Sequence, residues 1–154
     1  MKTRVWLVSL AAMLVLVAAA LAADDPNMGT WTLNEGKSKI TGQAKNTKVV
    51  YEAAGDSVKV TVDGVDAEGK TIHNEWTGKY DGKDYPVTGD ASGTVRSYKK
   101  VNAHTLTLAN KKDGKVTLTG KITVSADGKN RTVTITGTGA DGKKVTNSYV
   151  YDKE

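Results

Sequence analysis

The residues of this chain that could do chemistry are few and dispersed. His73 and Glu75 lie two residues apart, and Lys79 shares the strand face that they would occupy. A histidine and a carboxylate can supply two metal ligands, but a third would have to come from elsewhere, such as His104. Because His104 lies beside a predicted turn and the chain has no cysteine, we predict an exposed polar face and no metal site. An enzyme or metal carrier that uses His73, Glu75 and His104 is the least favoured of three hypotheses.

No arrangement of residues in the sequence indicates a catalytic nucleophile. The chain has serines and aspartates, and either histidine could act as a base, but nothing groups them. The Gly-x-Ser-x-Gly pattern of a strained nucleophile turn does not occur. The absence of cysteine excludes a thiol nucleophile, thiolate metal ligands and a disulfide framework. We therefore predict that the protein is not an enzyme and uses no cofactor.

Two glycine-rich segments match nucleotide-binding patterns in letters only. Residues 64–71 fit the phosphate-binding loop pattern, but they lead into the alternating segment 72–76, which predicts a strand. No helix follows to direct its N-terminus at a phosphate, and Asp66 and Glu68 would repel the anion. Residues 137–142 fit the dinucleotide fingerprint but also lead into a strand. Both segments are therefore predicted to be hairpin turns.

A triplet of Asp or Glu followed by Gly and Lys recurs along the chain. Such triplets are typical of tight hairpins, because Asp and Gly tolerate positive φ angles. A calcium loop needs acidic oxygens at alternate positions and a terminal Glu, and these turns offer one acid and then a lysine. We therefore interpret them as turns, not calcium sites. The triplets begin at Glu68, Asp81, Asp113, Asp127 and Asp141.

The segments between these turns alternate apolar and polar residues with a period of two. Val58, Val60 and Val62 are one example, and this period places one set of side chains against a core. Short connections make neighbouring strands in sequence neighbours in the sheet, and closure would remove exposed edges. The pattern predicts an all-β fold without substantial helix, an antiparallel up-and-down meander closed into a barrel of 8–10 strands. The ten predicted strands are 29–33, 47–54, 57–66, 70–80, 84–87, 94–100, 104–111, 115–125, 130–139 and 143–151.

The N-terminus has the features of a signal peptide. Lys2 and Arg4 precede an uncharged stretch of 19 residues that is rich in Leu, Val and Ala. The small-x-small sequence at 20–22 is typical of a cleavage site. We predict a signal peptide at 1–22 and one exported domain at 23–154, periplasmic or extracellular, with no membrane anchor after cleavage. The alternative is an uncleaved anchor, because the stretch is close to the length that spans a bilayer.

The charge of the predicted exported domain is mild. Residues 1–22 carry two of the 22 basic residues and none of the 17 acidic ones, which leaves a net charge of +3. The basic residues are scattered through turns and form no stripe along one element. This distribution indicates a solvated surface and no nucleic-acid partner. We expect a monomer.

The two ends of the predicted domain carry a family resemblance. The segment 29–34, Gly-Thr-Trp-Thr-Leu-Asn, resembles the first strand of the calycins, the group of lipocalins and fatty-acid-binding proteins. The segment 148–154 is similar to the last strand of the fatty-acid-binding proteins, and the chain also resembles small exported bacterial proteins. The resemblance implies a small ligand-binding barrel in which Trp31 closes one end.

The sequence departs from the fatty-acid-binding proteins at two places. Residues 34–46 are too few for their two lid helices, so we expect this segment to cross the barrel mouth or to form a loose loop. In that family an Arg-x-Tyr pair on the last strand holds the ligand carboxylate; here Tyr151 matches the Tyr, and Tyr149 stands in place of the Arg. Arg96 or Arg131 could take over if either points inward.

Our preferred hypothesis is a non-enzymatic barrel that binds a small apolar or amphipathic molecule. Burial of apolar ligand surface would supply the binding free energy. Each candidate wall residue has plain core packing as its competing role. The main alternative is a structural or surface-interaction protein with a filled core and no ligand. The candidate ligand-binding residues are Trp31, Trp76, Tyr80, Tyr149 and Tyr151.

Overall fold

The computed structural model describes residues 25–42 and 44–154, and the predicted signal peptide at 1–22 lies outside them. The described chain contains ten strands and one short 3₁₀ turn at Glu35–Lys37. No helix in these ranges is long and apolar enough to cross a membrane. The strands are β1 Gly29–Leu33, β2 Lys45–Ala54, β3 Ser57–Val65, β4 Thr71–Gly78, β5 Tyr85–Thr88, β6 Val95–Asn102, β7 Thr105–Lys112, β8 Lys115–Val124, β9 Asn130–Thr138 and β10 Lys144–Lys153.

All ten strands form one closed antiparallel barrel in sequence order. Closure is made by β1, which pairs with β2 on one side and with β10 on the other. Trp31 lies opposite Val49 in the first pair and opposite Lys153 in the second. Every strand has a neighbour on both sides, and the short β5 joins β4 and β6 through two residue pairs on each side. The predicted all-β meander barrel is confirmed, with ten strands.

The glycines of the predicted turns adopt the backbone angles that the sequence indicated. Each central glycine of the five acidic-Gly-Lys triplets has φ between 72° and 81°. Asp113 joins them with φ of 51°, as the first residue of an Asp-Gly turn with two positive φ angles. These turns let successive strands reverse direction with very short connections, and the sheet follows the chain order as a result.

The long connection between β1 and β2 follows the barrel wall. Its residues continue the pairing of β1 along β10, because the Lys39 and Ser148 backbones exchange two hydrogen bonds of 2.7 and 2.9 Å. The Ser38 hydroxyl accepts a hydrogen bond from the Val150 N–H at 2.9 Å, and the Asn147 side chain accepts one from the Thr41 N–H. This part of the connection is therefore neither a helical lid nor a loose loop.

One end of the barrel is filled with aromatic side chains. Trp76 lies at its centre, with Tyr98 at 4.6 Å and Tyr85 at 5.8 Å between ring centroids, both edge to face. Tyr51 and Tyr80 pack on Tyr98 at 6.5 and 6.0 Å. Edge-to-face pairs contribute about 0.5–1.5 kcal/mol each beyond the burial of their area. Trp and Tyr rings thus fill this end in a chain that has no phenylalanine, and the interior toward the other end is not filled in this way.

Candidate ligand-binding cavity

The barrel encloses a cavity of about 400 Å³ between its filled end and the opposite set of connections. Its rim is formed by residues 44–46, 65–67 and 89–92, which follow or precede strands at the same end of the barrel. The volume lies in the lower part of the range of small-molecule sites. Most of the wall is apolar, with side chains that include Val49, Val62, Leu108, Leu118, Val133 and Ile135.

A second depression of about 460 Å³ lies outside the barrel, beside the 3₁₀ turn and the β3–β4 connection. Ile40 and Val65 are the large apolar side chains of its lining, beside Glu35, Ser38 and Lys45. A ligand would contact less apolar surface here than in the interior cavity. The interior cavity is therefore the candidate site.

Two of the five predicted ligand-binding residues line the cavity. Tyr149 and Tyr151 point inward from β10, and Tyr151 donates a hydrogen bond of 3.0 Å to the Asn46 carbonyl. Burial raises the pKa of the Tyr151 phenol, against the opposing influence of the Arg131 charge. The phenol is therefore neutral at physiological pH.

The other three predicted residues, Trp31, Trp76 and Tyr80, belong to the filled end and are absent from the cavity lining. The Trp31 indole is 0% exposed and donates a hydrogen bond of 2.8 Å to the Asn27 carbonyl. The Trp76 indole donates one of the same length to the Arg96 carbonyl. These two tryptophans lie buried at the filled end. A direct contact with a ligand stays a prediction for all five residues, Tyr149 and Tyr151 included.

The wall of the cavity carries a buried ion pair. Arg96 on β6 is 6% exposed, and its Nη2 lies 2.5 Å from Asp90 Oδ2. The guanidinium also donates to the side-chain oxygens of Asn110, at 2.9 Å, and Asn74, at 3.3 Å. The Asn110 amide nitrogen donates to Asp90 and to the Ser92 hydroxyl, each at 2.8 Å. The Arg96 guanidinium is thus neutralised and hydrogen-bonded by the residues around it.

Asp90 belongs to the β5–β6 connection, and its carboxylate reaches into the barrel from the rim. Burial by itself would raise the pKa of this carboxyl. Hydrogen bonds from the Ser92 side chain and backbone, together with the Arg96 charge, outweigh burial and hold the pKa below its ordinary value. The ionised carboxylate therefore ties the connection to the wall at neutral pH.

Arg131 forms the floor of the cavity and is surrounded by aromatic rings. It points inward from β9, is 2% exposed and lines the cavity. Its Cζ lies 4.9 Å from the ring centroid of Trp31, 4.8 Å from that of Tyr51 and 4.9 Å from that of Tyr151. Its Nε and Nη1 have no hydrogen-bond partner among the described residues. Three aromatic rings lie against the buried Arg131 guanidinium, and no carboxylate among the described residues forms an ion pair with it.

The sequence marks these polar interior residues only weakly. Asn74 and Arg96 occupy alternate positions shared with the buried Trp76 and Tyr98, and Arg131 shares the face of Val133 and Ile135. A polar residue in an apolar register is the one signal that could have identified them. The question whether Arg96 or Arg131 points inward is answered for both.

His73 lies on the outer surface in a cluster of charged side chains. Its Nδ1 is 2.6 Å from Asp63 Oδ1 and its Nε2 is 3.3 Å from Glu75 Oε1. Hydrogen bonding to Asp63 first, and to Glu75 second, raises the pKa of His73. His104 lies apart, in the β6–β7 turn. Within residues 25–42 and 44–154 no three acidic, histidine or cysteine side chains are arranged to hold a metal ion.

Fold and cavity define the chain as a closed antiparallel β-barrel with an internal cavity, as the calycin resemblance implied. No family model matches the chain, and the search of curated proteins gave no match. Among solved structures it is similar to a redesigned β-barrel, mFAP1, bound to DFHBI: 17% identity, 86% of this chain, 99% of that chain and TM-score 0.45.

Two further solved structures are similar to the chain. EF1p2_mFAP2b bound to DFHBI is 13% identical over 86% of this chain and 98% of that chain, with TM-score 0.48. Lobster apocrustacyanin A1 is 11% identical over 92% of this chain and 68% of that chain, with TM-score 0.39. The likeness concerns the overall barrel and says nothing about the residues inside it.

Proposed function

We propose that the protein is an exported, non-enzymatic barrel that binds a small apolar or amphipathic molecule in its cavity. The observation that carries the proposal is the half-filled interior: aromatic rings pack one end, and the other holds a cavity of about 400 Å³ with a largely apolar wall. Transfer of apolar ligand surface into this space is favourable by about 25 cal/mol per Å². A barrel that acted only through its surface would have no need of this space.

A neutral fluorescent dye tests the proposal directly. N-phenyl-1-naphthylamine is expected to gain fluorescence on binding. Leu118→Trp fills part of the cavity and is expected to lower the affinity for the dye by about tenfold. Leu118 lines the cavity, whereas Thr119 is exposed on the other face of the same strand. Thr119→Trp is therefore the matched control and is expected to leave the affinity unchanged. Circular dichroism checks that both variants keep the fold.

An absence of dye binding, or equal loss in both variants, would contradict the proposal and favour the surface-interaction alternative. The second outcome would mean that the dye associates with the outside of the barrel. Enlarging a side chain in a packed interior costs about 1–3 kcal/mol, so dye affinities are compared at a temperature where both variants are folded.

Export has its own test. The N-terminal sequence supports the proposal that residues 1–22 are removed. Expression of the full chain in a Gram-negative bacterium is expected to yield a periplasmic or extracellular protein whose intact mass corresponds to a start at Ala23. Recovery of the full-length mass in the membrane fraction would instead support the uncleaved anchor.

A further inference from the structure

The Arg131 guanidinium carries a positive charge that no carboxylate among the described residues neutralises. It is 2% exposed, and three aromatic rings lie within 5 Å of its Cζ. Arginine carries a fixed positive charge, so the cost of burying it has to be offset by the groups around it. Ring faces attract a cation, but they accept no strong hydrogen bond from Nε and Nη1. A buried charge without an anionic partner is costly and uncommon.

The surrounding tyrosines do not supply the missing negative charge. Tyr51 and Tyr151 are the two phenols whose rings contact the guanidinium. Burial raises the pKa of both phenols above the ordinary value, and the Arg131 charge only partly opposes it. Both side chains are therefore neutral.

The carboxylates that line the cavity are engaged elsewhere. Asp90 pairs with Arg96, and Asp66 at the rim accepts hydrogen bonds from the backbone N–H groups of Glu68 and Lys70. Among the described residues, these two are the acids of the cavity lining. One cavity thus contains two buried arginines, and the fold provides a carboxylate for Arg96 and none for Arg131.

We propose that Arg131 is the subsite for the negatively charged group of the ligand. The ligand class is then a small organic anion, a carboxylate or sulfonate with an apolar body. The anionic group lies against the guanidinium at the floor, and the body contacts the wall around Val49, Val133 and Ile135. Charge-assisted hydrogen bonds to a guanidinium are about twice as strong as neutral ones, and a site closed to water strengthens them further. This inference rests on the proposed function, because the anion must enter the cavity.

Two dyes that differ by one sulfonate separate the anion subsite from the apolar cavity. 1-Anilinonaphthalene-8-sulfonate is N-phenyl-1-naphthylamine with a sulfonate added. Arg131→Met keeps a long side chain and removes the charge. It is expected to lower the affinity for the sulfonate dye at least tenfold and the affinity for the neutral dye less than threefold. Lys121→Met removes an exposed positive charge on the outer face of β8 and is expected to leave both affinities unchanged.

A second measurement on the unaltered protein guards against misfolding of the Arg131 variant. 1-Naphthoate and 1-naphthalenemethanol are compared as competitors of bound N-phenyl-1-naphthylamine. The carboxylate is expected to compete at least tenfold better, although it is the more strongly hydrated of the two. The melting temperature of Arg131→Met without ligand is expected to rise, because methionine in this position buries no unpaired charge.

The outcomes distinguish this inference from the proposed function. If neither dye binds the unaltered protein, the cavity is not a ligand site and both proposals fail. If the neutral dye binds but the anionic competitor has no advantage, the anion subsite alone is overturned. An equal loss of affinity for both dyes in Arg131→Met also overturns the anion subsite, because Arg131 then acts through packing.

Discussion

Replacement of Trp31 by alanine is expected to lower the free energy of unfolding by about 3–5 kcal/mol. The indole is fully buried at the end of the barrel where β1 meets β2 and β10. Two cations lie near its ring: Arg131 Cζ is 4.9 Å and Lys153 Nζ is 5.2 Å from the ring centroid. Alanine removes the ring that both cations contact, leaves a void, and frees the Asn27 carbonyl of its hydrogen bond. Urea denaturation followed by circular dichroism measures the loss.

Trp31→Phe is the matched control for this prediction. Phenylalanine keeps an aromatic face but cannot donate to the Asn27 carbonyl, so a smaller loss of about 1–2 kcal/mol is expected. Equal losses in the two variants would show that the hydrogen bond, not the ring volume, holds this end closed. A loss below about 1 kcal/mol for alanine would contradict the assignment of Trp31 as the residue that closes the barrel.

Asp90→Asn is expected to lower the free energy of unfolding by about 3–5 kcal/mol at pH 7, because it leaves Arg96 buried and uncompensated. The Asp90 side chain is 14% exposed and that of Arg96 is 7% exposed, so water cannot replace the lost partner. Asp56→Asn is the control: Asp56 pairs with Lys79 at 2.8 Å, but its side chain is 80% exposed, and little change is expected there. Urea denaturation at pH 7 compares the two variants.

The Asp90 contribution has a defined pH dependence. The pKa of the carboxyl is lower in the folded protein than its ordinary value of 3.8. The ion pair therefore stabilises the fold fully at pH values above 3.8 and loses this effect as the pH falls through the lower, folded pKa. Asp90→Asn is expected to remove this part of the acid sensitivity, so its stability falls less between pH 5 and pH 2.

Removing both partners separates the ion pair from the rest of the network. Asp90→Asn combined with Arg96→Met is expected to be more stable than Asp90→Asn alone, because the uncompensated charge is gone. A double variant that is less stable than either single variant would mean that the two side chains act independently. The Asp90 carboxylate would then have a partner other than Arg96.

These predictions assign different tasks to the two halves of the barrel interior. The aromatic end, with Trp31 and Trp76, holds the ring of strands closed. The half that contains the cavity leaves apolar wall unpacked and one buried guanidinium without an anionic partner, which lowers the stability of the free protein. If the proposed function is correct, a bound ligand offsets this loss.

Much of the fold could be predicted because its signals are local. The alternation of Val58, Val60 and Val62 indicates a strand face, and Asp113-Gly114 indicates a tight turn, without reference to any other part of the chain. Ten strands with short connections have few arrangements open to them, and closure gives every strand a neighbour on both sides. Local chemistry was thus sufficient for the architecture.

The site was predicted less completely, because its residues meet only through closure. Tyr149 and Tyr151 line the cavity as expected for β10, but Trp76 and Tyr80, which have the same alternating pattern, belong to the filled end. A period of two tells which side chains share a face and does not tell how deep in the barrel each one lies. That depth follows from the stagger between strands, which is set by pairing around the whole ring.

The sequence by itself determined the strands, the turns and the inward position of most apolar strand residues, since each depends on neighbours within a few residues. The short connections determined that consecutive strands pair. Only the tertiary structure decided that Asp90 reaches Arg96 and that Arg131 meets three aromatic rings and no acid. Asp90 and Arg96 come from adjoining segments, but Trp31, Tyr51 and Tyr151 are brought to Arg131 from three strands across the sequence. Charge compensation depends on distances of a few ångströms, and such distances exist only once the ring of strands has closed.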